Sequence, residues 1–414
     1  MISTFPKSAL LFLISPLLSI PLILRDIYLN KKVGYILFAG IFFILSYFYI
    51  PKTGFFFASG GDKSYYINLY NFFLSLSFEE ATLYIENNMT DVTFWYLILI
   101  FSHLGIPFPF LAGLVIGISL GILFYIFRKS VIENKLSKFM IFTLFITLIC
   151  SFHLPSLFDG LRFFFAQSFI ILGFYLSLVR NQTLKGLISL LFAATIHFST
   201  LVFFIATLLY VLFQKNYKLL KVIYFFSFLF LFIPAEYFLI YFVNLIPYVE
   251  IDVIYLQKYL SYFGEKQFVI TNTGHAIYVF FGKLWYYLIT IYALLNINRA
   301  ENKWFSTLLI LLVFANLTFL FPFVFNRYGF IILVAFVFVV INDYKKYKFN
   351  NFFILSFLII SILTTCLDII IERDSFKKSY TRVGLLTLPT MLLMDPTDGG
   401  IFDKGNLLEN YEQD

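Results

Sequence analysis

A few polar side chains stand where an apolar chain gives them little reason to be. Asp159 and Arg162 lie in Asp-Gly-Leu-Arg-Phe-Phe-Phe-Ala, at the head of an apolar run. His197 sits in Ala-Thr-Ile-His-Phe-Ser199, at the middle of the apolar stretch 184–213. Asp62 follows Gly60-Gly61 and opens a segment rich in Tyr and Asn that includes Tyr65 and Tyr66, and Arg327 lies in Asn326-Arg-Tyr328. Ionisable groups are expensive in lipid and mark functional positions by default. The planar fork of arginine holds a phosphate bidentately, and two arginines together could hold a diphosphate and stabilise its charge as it leaves. A neutral buried histidine, or a carboxylate in a polar pocket, can bind a hydroxyl or take its proton. Each also has a plainer reading. An arginine can snorkel at the interface, Asp62 can cap a helix, Asp159 can pair with Arg162, and His197 can bond a backbone carbonyl.

The elements that must carry these residues follow from composition. Of 414 residues 61% are hydrophobic and only 13% charged, about half the charge of a soluble domain. Apolar runs of about 20 residues recur and are continuous rather than alternating, which selects membrane-spanning helices over a barrel. Two cysteines, Cys150 and Cys366, lie inside apolar runs and suggest neither a disulfide framework nor a metal ligand set. No P-loop, no Gly-x-Ser-x-Gly elbow and no metal spacing is present. The net charge of +7 is that of cytoplasmic loops, not of a nucleic-acid-binding surface. The first apolar run lacks a small-residue cleavage site and is expected to stay as a helix.

Keeping the basic loops inside gives a topology. Spans are expected at about 8–24, 34–50, 108–127, 139–153, 161–179, 219–241, 277–295, 304–322, 328–342 and 351–371. The run 92–104 is too short to cross and is read as re-entrant or interfacial. The stretch 184–213 is flanked by lysines at both ends and is read as a hairpin of two short helices with its apex at His197. Segments 52–91 and 242–276 are expected outside, and 322–328 as an outer turn. Residues 1–372 then form one transmembrane catalytic domain, followed by a partly ordered tail at 373–414. Under this topology Asp62, Asp159, Arg162, His197 and Arg327 all fall in the outer half of the membrane.

In this order the motifs resemble the EpsG-like, Wzy-type oligosaccharide repeat-unit polymerases of bacterial surface polysaccharide pathways, such as those for O-antigen, capsule or exopolysaccharide. The resemblance runs over most of residues 35–345. It implies an all-α polytopic membrane protein of about 10–12 transmembrane helices plus re-entrant or interfacial helices, resembling integral-membrane GT-C-like glycosyltransferases. Such an enzyme moves a growing glycan from undecaprenyl diphosphate to the non-reducing end of another lipid-linked repeat unit. It works on the outer face of the inner or cytoplasmic membrane, with no cofactor and no metal. The implied partners are the undecaprenyl-diphosphate-linked oligosaccharide, membrane lipid, and the chain-length regulator and flippase of the same pathway. Arg162 and Arg327 would hold the diphosphate, and Asp62 or His197 would orient or deprotonate the acceptor. Asp159, Tyr65, Tyr66, Ser199, Asn326 and Tyr328 would line the substrate site. The competing readings are a glycan ligase using the same donor, a multi-span acyltransferase, and a lipid-linked oligosaccharide flippase or transporter. A transporter predicts a polar path through the full membrane depth and repeated halves, which this chain does not display.

Overall fold

A computed structural model describes residues 6–49, 62–89, 91–152, 154–232, 273–298, 303–319, 322–343, 350–371, 373 and 379–380. Every regular element among them is helical. In chain order they are α1 (Lys7–Ile14), α2 (Ile20–Tyr28), α3 (Lys32–Phe48), α4 (Asp62–Ser75), α5 (Phe78–Asn88), α6 (Val92–His103), α7 (Phe108–Glu133), α8 (Lys138–Cys150) and α9 (Leu154–Asp159). Then follow α10 (Leu161–Phe174), α11 (Thr183–Ile196), α12 (Leu201–Leu212), α13 (Tyr217–Ser227), α14 (Thr273–Asn296), α15 (Lys303–Thr318), α16 (Pro322–Asp343) and α17 (Asn350–Ile371). A π-helical turn, Tyr175–Val179, extends α10.

Among the described residues, Phe108–Glu133, Leu161–Val179 and Asn350–Ile370 are long and apolar enough to cross a bilayer, and seven shorter apolar helices accompany them. The chain is an all-α polytopic membrane protein. The run 92–104 forms the 12-residue α6, too short to cross untilted. The loop expected at 242–276, except its last four residues, lies outside the described residues, as does the tail apart from 373, 379 and 380.

Two expectations are corrected. The single span expected at 8–24 is two short helices, α1 and α2, broken after Ile14. Pro16 explains the break, because the residue before a proline is driven out of the helical region and proline has no N–H to continue the ladder. Residues 322–328 are not a turn: α16 starts at Pro322, where proline's fixed φ suits a first helical position.

The chain divides into two compact units. One comprises Met1–Tyr125, Pro155–Phe165 and Glu372–Asp414. Its core is aromatic: Phe42 stacks on Phe158 at 6.2 Å, and Phe38 meets Phe124 at 6.0 Å. Helices α4 and α5 pack on α6. A capping box between Ser77 and Glu80 starts α5, which is polar, as a helix lying along a surface should be.

The other unit comprises Ile126–Leu154 and Ala166–Ile371. Here Asn316 donates to Ser227 Oγ at 2.6 Å and accepts from the Tyr286 hydroxyl, the polar cross-linking that membrane helices use. Close packing elsewhere depends on glycine. A Cβ on Gly186 of α11 would lie 2.5 Å from the Ser177 amide nitrogen, and one on Gly173 of α10 would lie 2.5 Å from Leu190 Cγ. Because the obstacle at Gly186 is backbone, Gly186→Ala is expected to destabilise the protein by about 1–3 kcal/mol. A thermal midpoint equal to that of wild type would show that the helix pair relaxes freely.

Candidate functional site

The site begins at the N-terminus of α4, whose first N–H groups have no partners within the helix. Asp159, at the end of α9, supplies them. Its Oδ2 accepts from the Asp62 amide at 3.1 Å and its Oδ1 from the Lys63 amide at 2.9 Å. The sequence suggested Asp62 as the cap; the capping carboxylate comes from Asp159, 97 residues away, and the helix dipole favours it there. Asp62 itself is exposed.

Lys63 is only 1% exposed. Its ammonium donates to the carbonyls of Ser46 at 2.8 Å and Tyr49 at 2.6 Å, where α3 ends, and lies 5.4 Å from the Tyr49 ring centre. Burial lowers its pKa to about 7, with Asp159 opposing. Burial, reinforced by Asp62, raises Asp159 to about 6 against the two amides and Lys63. One dipeptide thus joins α4 to α9 through its backbone and to α3 through its side chain.

Arg162 sits in the first turn of α10, at the head of a candidate membrane span. Its Nη1 lies 2.6 Å from Asp91 Oδ2, and its side chain is 21% exposed against 6% for Asp91. The guanidinium carbon lies 4.7 Å over the Trp95 ring. Trp95 is held in turn by Tyr66 at 5.7 Å and Tyr65 at 6.0 Å. The two tyrosines divide their roles: Tyr66 is buried, and Tyr65 is exposed. Sequence reasoning passed over Asp91. The available signal was a lone carboxylate at the head of a short apolar helix in a chain with few charges.

The second group lies in the other unit. The stretch 184–213 does break at its middle: α11 ends at His197, which is extended with φ −149° and ψ 105°. A 3-10 turn, Phe198–Thr200, leads into α12, and α11 and α12 pack on each other. His197 is buried, and its carbonyl accepts from the Thr200 amide at 2.9 Å and the Thr200 hydroxyl at 2.8 Å. The hydroxyl of Tyr328 donates to the Ser199 carbonyl at 3.3 Å, and the Tyr328 ring meets Phe203 edge-on at 5.2 Å. The structure therefore brings the His197 and Tyr328 motifs together. Asn326 and Arg327 lie on the first turns of α16, and their side chains are outside the described residues. Among the described residues no three His, Cys, Asp or Glu side chains group as a metal site.

Arg162 is a cation held by Asp91 and Trp95, Asp62 is an exposed acid at the head of α4, and the hairpin apex carries a buried imidazole. No curated protein and no solved structure matches the chain significantly. The family model described as the EpsG family matches residues 38–381, a range that contains every candidate named above. With most of its length matched, the chain belongs to the EpsG family.

Proposed function

We propose that this chain polymerises oligosaccharide repeat units by transferring a growing glycan from undecaprenyl diphosphate to the non-reducing end of another lipid-linked unit. Family membership carries the general activity, a glycosyltransferase-like polysaccharide polymerase of the membrane acting on a lipid-linked substrate. The donor, the acceptor end and an active site on the periplasmic or outer face are our reading. The observation that carries it is Arg162: a half-buried arginine at the head of a candidate span, its guanidinium oriented by Asp91 and Trp95.

In this reaction the acceptor hydroxyl oxygen attacks the anomeric carbon of the donor glycan. The bond from that carbon to the diphosphate breaks, and undecaprenyl diphosphate leaves with the electron pair. Arg162 stabilises the charge that builds on the leaving oxygen. Asp62 or His197 takes the acceptor proton. Tyr65 and Asp159 border the sugars, with Tyr66 behind Tyr65. The chain-length regulator and flippase of such a pathway are the expected protein partners.

The test is purified protein in lipid nanodiscs, supplied only with lipid-linked repeat units extracted from producing cells. A ladder of products is expected, and a folded preparation that makes none sinks the proposal. His197→Ala is expected to lower turnover at least about a hundredfold; wild-type turnover would remove His197 from the site.

A further inference from the structure

Asp91 occupies the position just before α6 and differs there from three other polar residues. Ser77, Ser137 and Asn216 stand at the same position of α5, α8 and α13, and each accepts a hydrogen bond from an amide of its own helix. That is the ordinary duty of a polar residue there. The Asp91 side chain makes no such bond. It is directed to Arg162 at 2.6 Å and is 4% exposed as a residue. One turn on, Trp95 lies under the same guanidinium, as positions i and i+4 on one helix face allow. Trp95 is itself 3% exposed and wedged between Tyr66 and Phe94.

We infer that Asp91 and Trp95 are positioning residues of the polymerase, fixing the guanidinium of Arg162 for the donor diphosphate. The inference rests on the reading of Arg162 as the diphosphate clamp. A guanidinium is planar and offers its donors in a rigid fork. Asp91 engages one of its nitrogens and Trp95 covers one face, so its plane and rotation about the stem are both set. The remaining freedom is small, and binding a diphosphate then requires little ordering of the arginine. Partners that orient metal ligands typically cost 10–100-fold when removed, and a loss of that order is expected for the partners of Arg162.

A purely structural ion pair makes a different prediction. Removing a carboxylate that serves only as an anchor or counter-charge leaves anion binding unchanged or makes it tighter, because a negative charge is lost. Removing one that orients the fork weakens binding.

The experiment measures equilibrium binding of radiolabelled farnesyl diphosphate to the full-length protein in nanodiscs. Arg162→Ala is expected to lose binding. Asp91→Asn is expected to weaken it about tenfold, and no further when combined with Arg162→Ala. Trp95→Leu is expected to weaken it similarly, with Trp95→Phe recovering most of the loss because a ring face is restored. These Trp95 variants decide the matter if Asp91→Asn does not fold. If Arg162→Ala loses binding while Asp91→Asn and Trp95→Leu bind as wild type or tighter, the positioning role is overturned and the clamp stands. If Arg162→Ala binds as wild type, the clamp reading falls and the positioning role with it.

Discussion

Arg162→Lys is expected to lower polymer synthesis about 100- to 1,000-fold in protein that folds and inserts normally. The substitution keeps a unit positive charge at the head of α10 and a partner for Asp91, whose side chain is 6% exposed. It removes the planar fork and the face that lies 4.7 Å over Trp95. If a leaving diphosphate needs only charge, lysine suffices. If it needs two aligned donors that are already oriented, lysine fails, because the ammonium is a point charge on a flexible stem. The expected size is that of losing one preorganised donor to a developing anion. Arg162→Ala is the poorer test of catalysis, since it also leaves a buried carboxylate without its cation, at about 3–5 kcal/mol for a fully buried pair. The measurement is turnover per folded molecule, with fold checked by size exclusion in detergent. Turnover within threefold of wild type would show that Arg162 does not act on the leaving group.

What was legible in the sequence followed from chemistry that is local or summed along the chain. Charge and hydropathy placed the spans 108–127, 161–179 and 351–371 close to α7, to α10 with its π turn, and to α17. Lysines at both ends of one apolar stretch predicted the break at His197, because a single crossing would have left basic residues on both sides. The break at Pro16 was missed because a hydropathy window averages over a residue whose missing donor acts at a single position. The partners were beyond reach for a different reason. Nothing near Arg162 names Asp91, and nothing near Asp62 says that Asp159 will cap α4 from 97 residues away. Those pairings arise when helices pack, and no spacing rule along one segment encodes them. The motif residues were visible as unusual, while the shell that orients them was visible only in three dimensions.

That shell should also control stability, and the second large effect is expected there. Lys63 ordinarily titrates at 10.5 and falls to about 7 in the fold; Asp159 ordinarily titrates at 3.8 and rises to about 6. Between about 7 and 10.5 the unfolded chain keeps a lysine proton that the folded protein has released, so stability rises with pH across that window. Between 3.8 and about 6 the folded protein keeps a carboxyl proton that the unfolded chain has released, so stability falls as pH rises there. Both burial penalties act in full only near pH 6–7, and the thermal midpoint should pass through a minimum in that range. Lys63→Met keeps the stem volume without the charge, and is expected to abolish the rise on the alkaline side. Asp159→Ala removes two amide bonds and the carboxylate opposing a buried ammonium. At about pH 6.5 it should cost the lost helix cap, about 1 kcal/mol, plus the lost attraction between the carboxylate and the buried ammonium. At about pH 9 Lys63 is neutral in the fold, and the cost should shrink to that of a lost helix cap, about 1 kcal/mol. Thermal unfolding of both variants and wild type at the two pH values decides it. If Asp159→Ala destabilises equally at both, Asp159 acts only as a cap and is not coupled to the charge of Lys63.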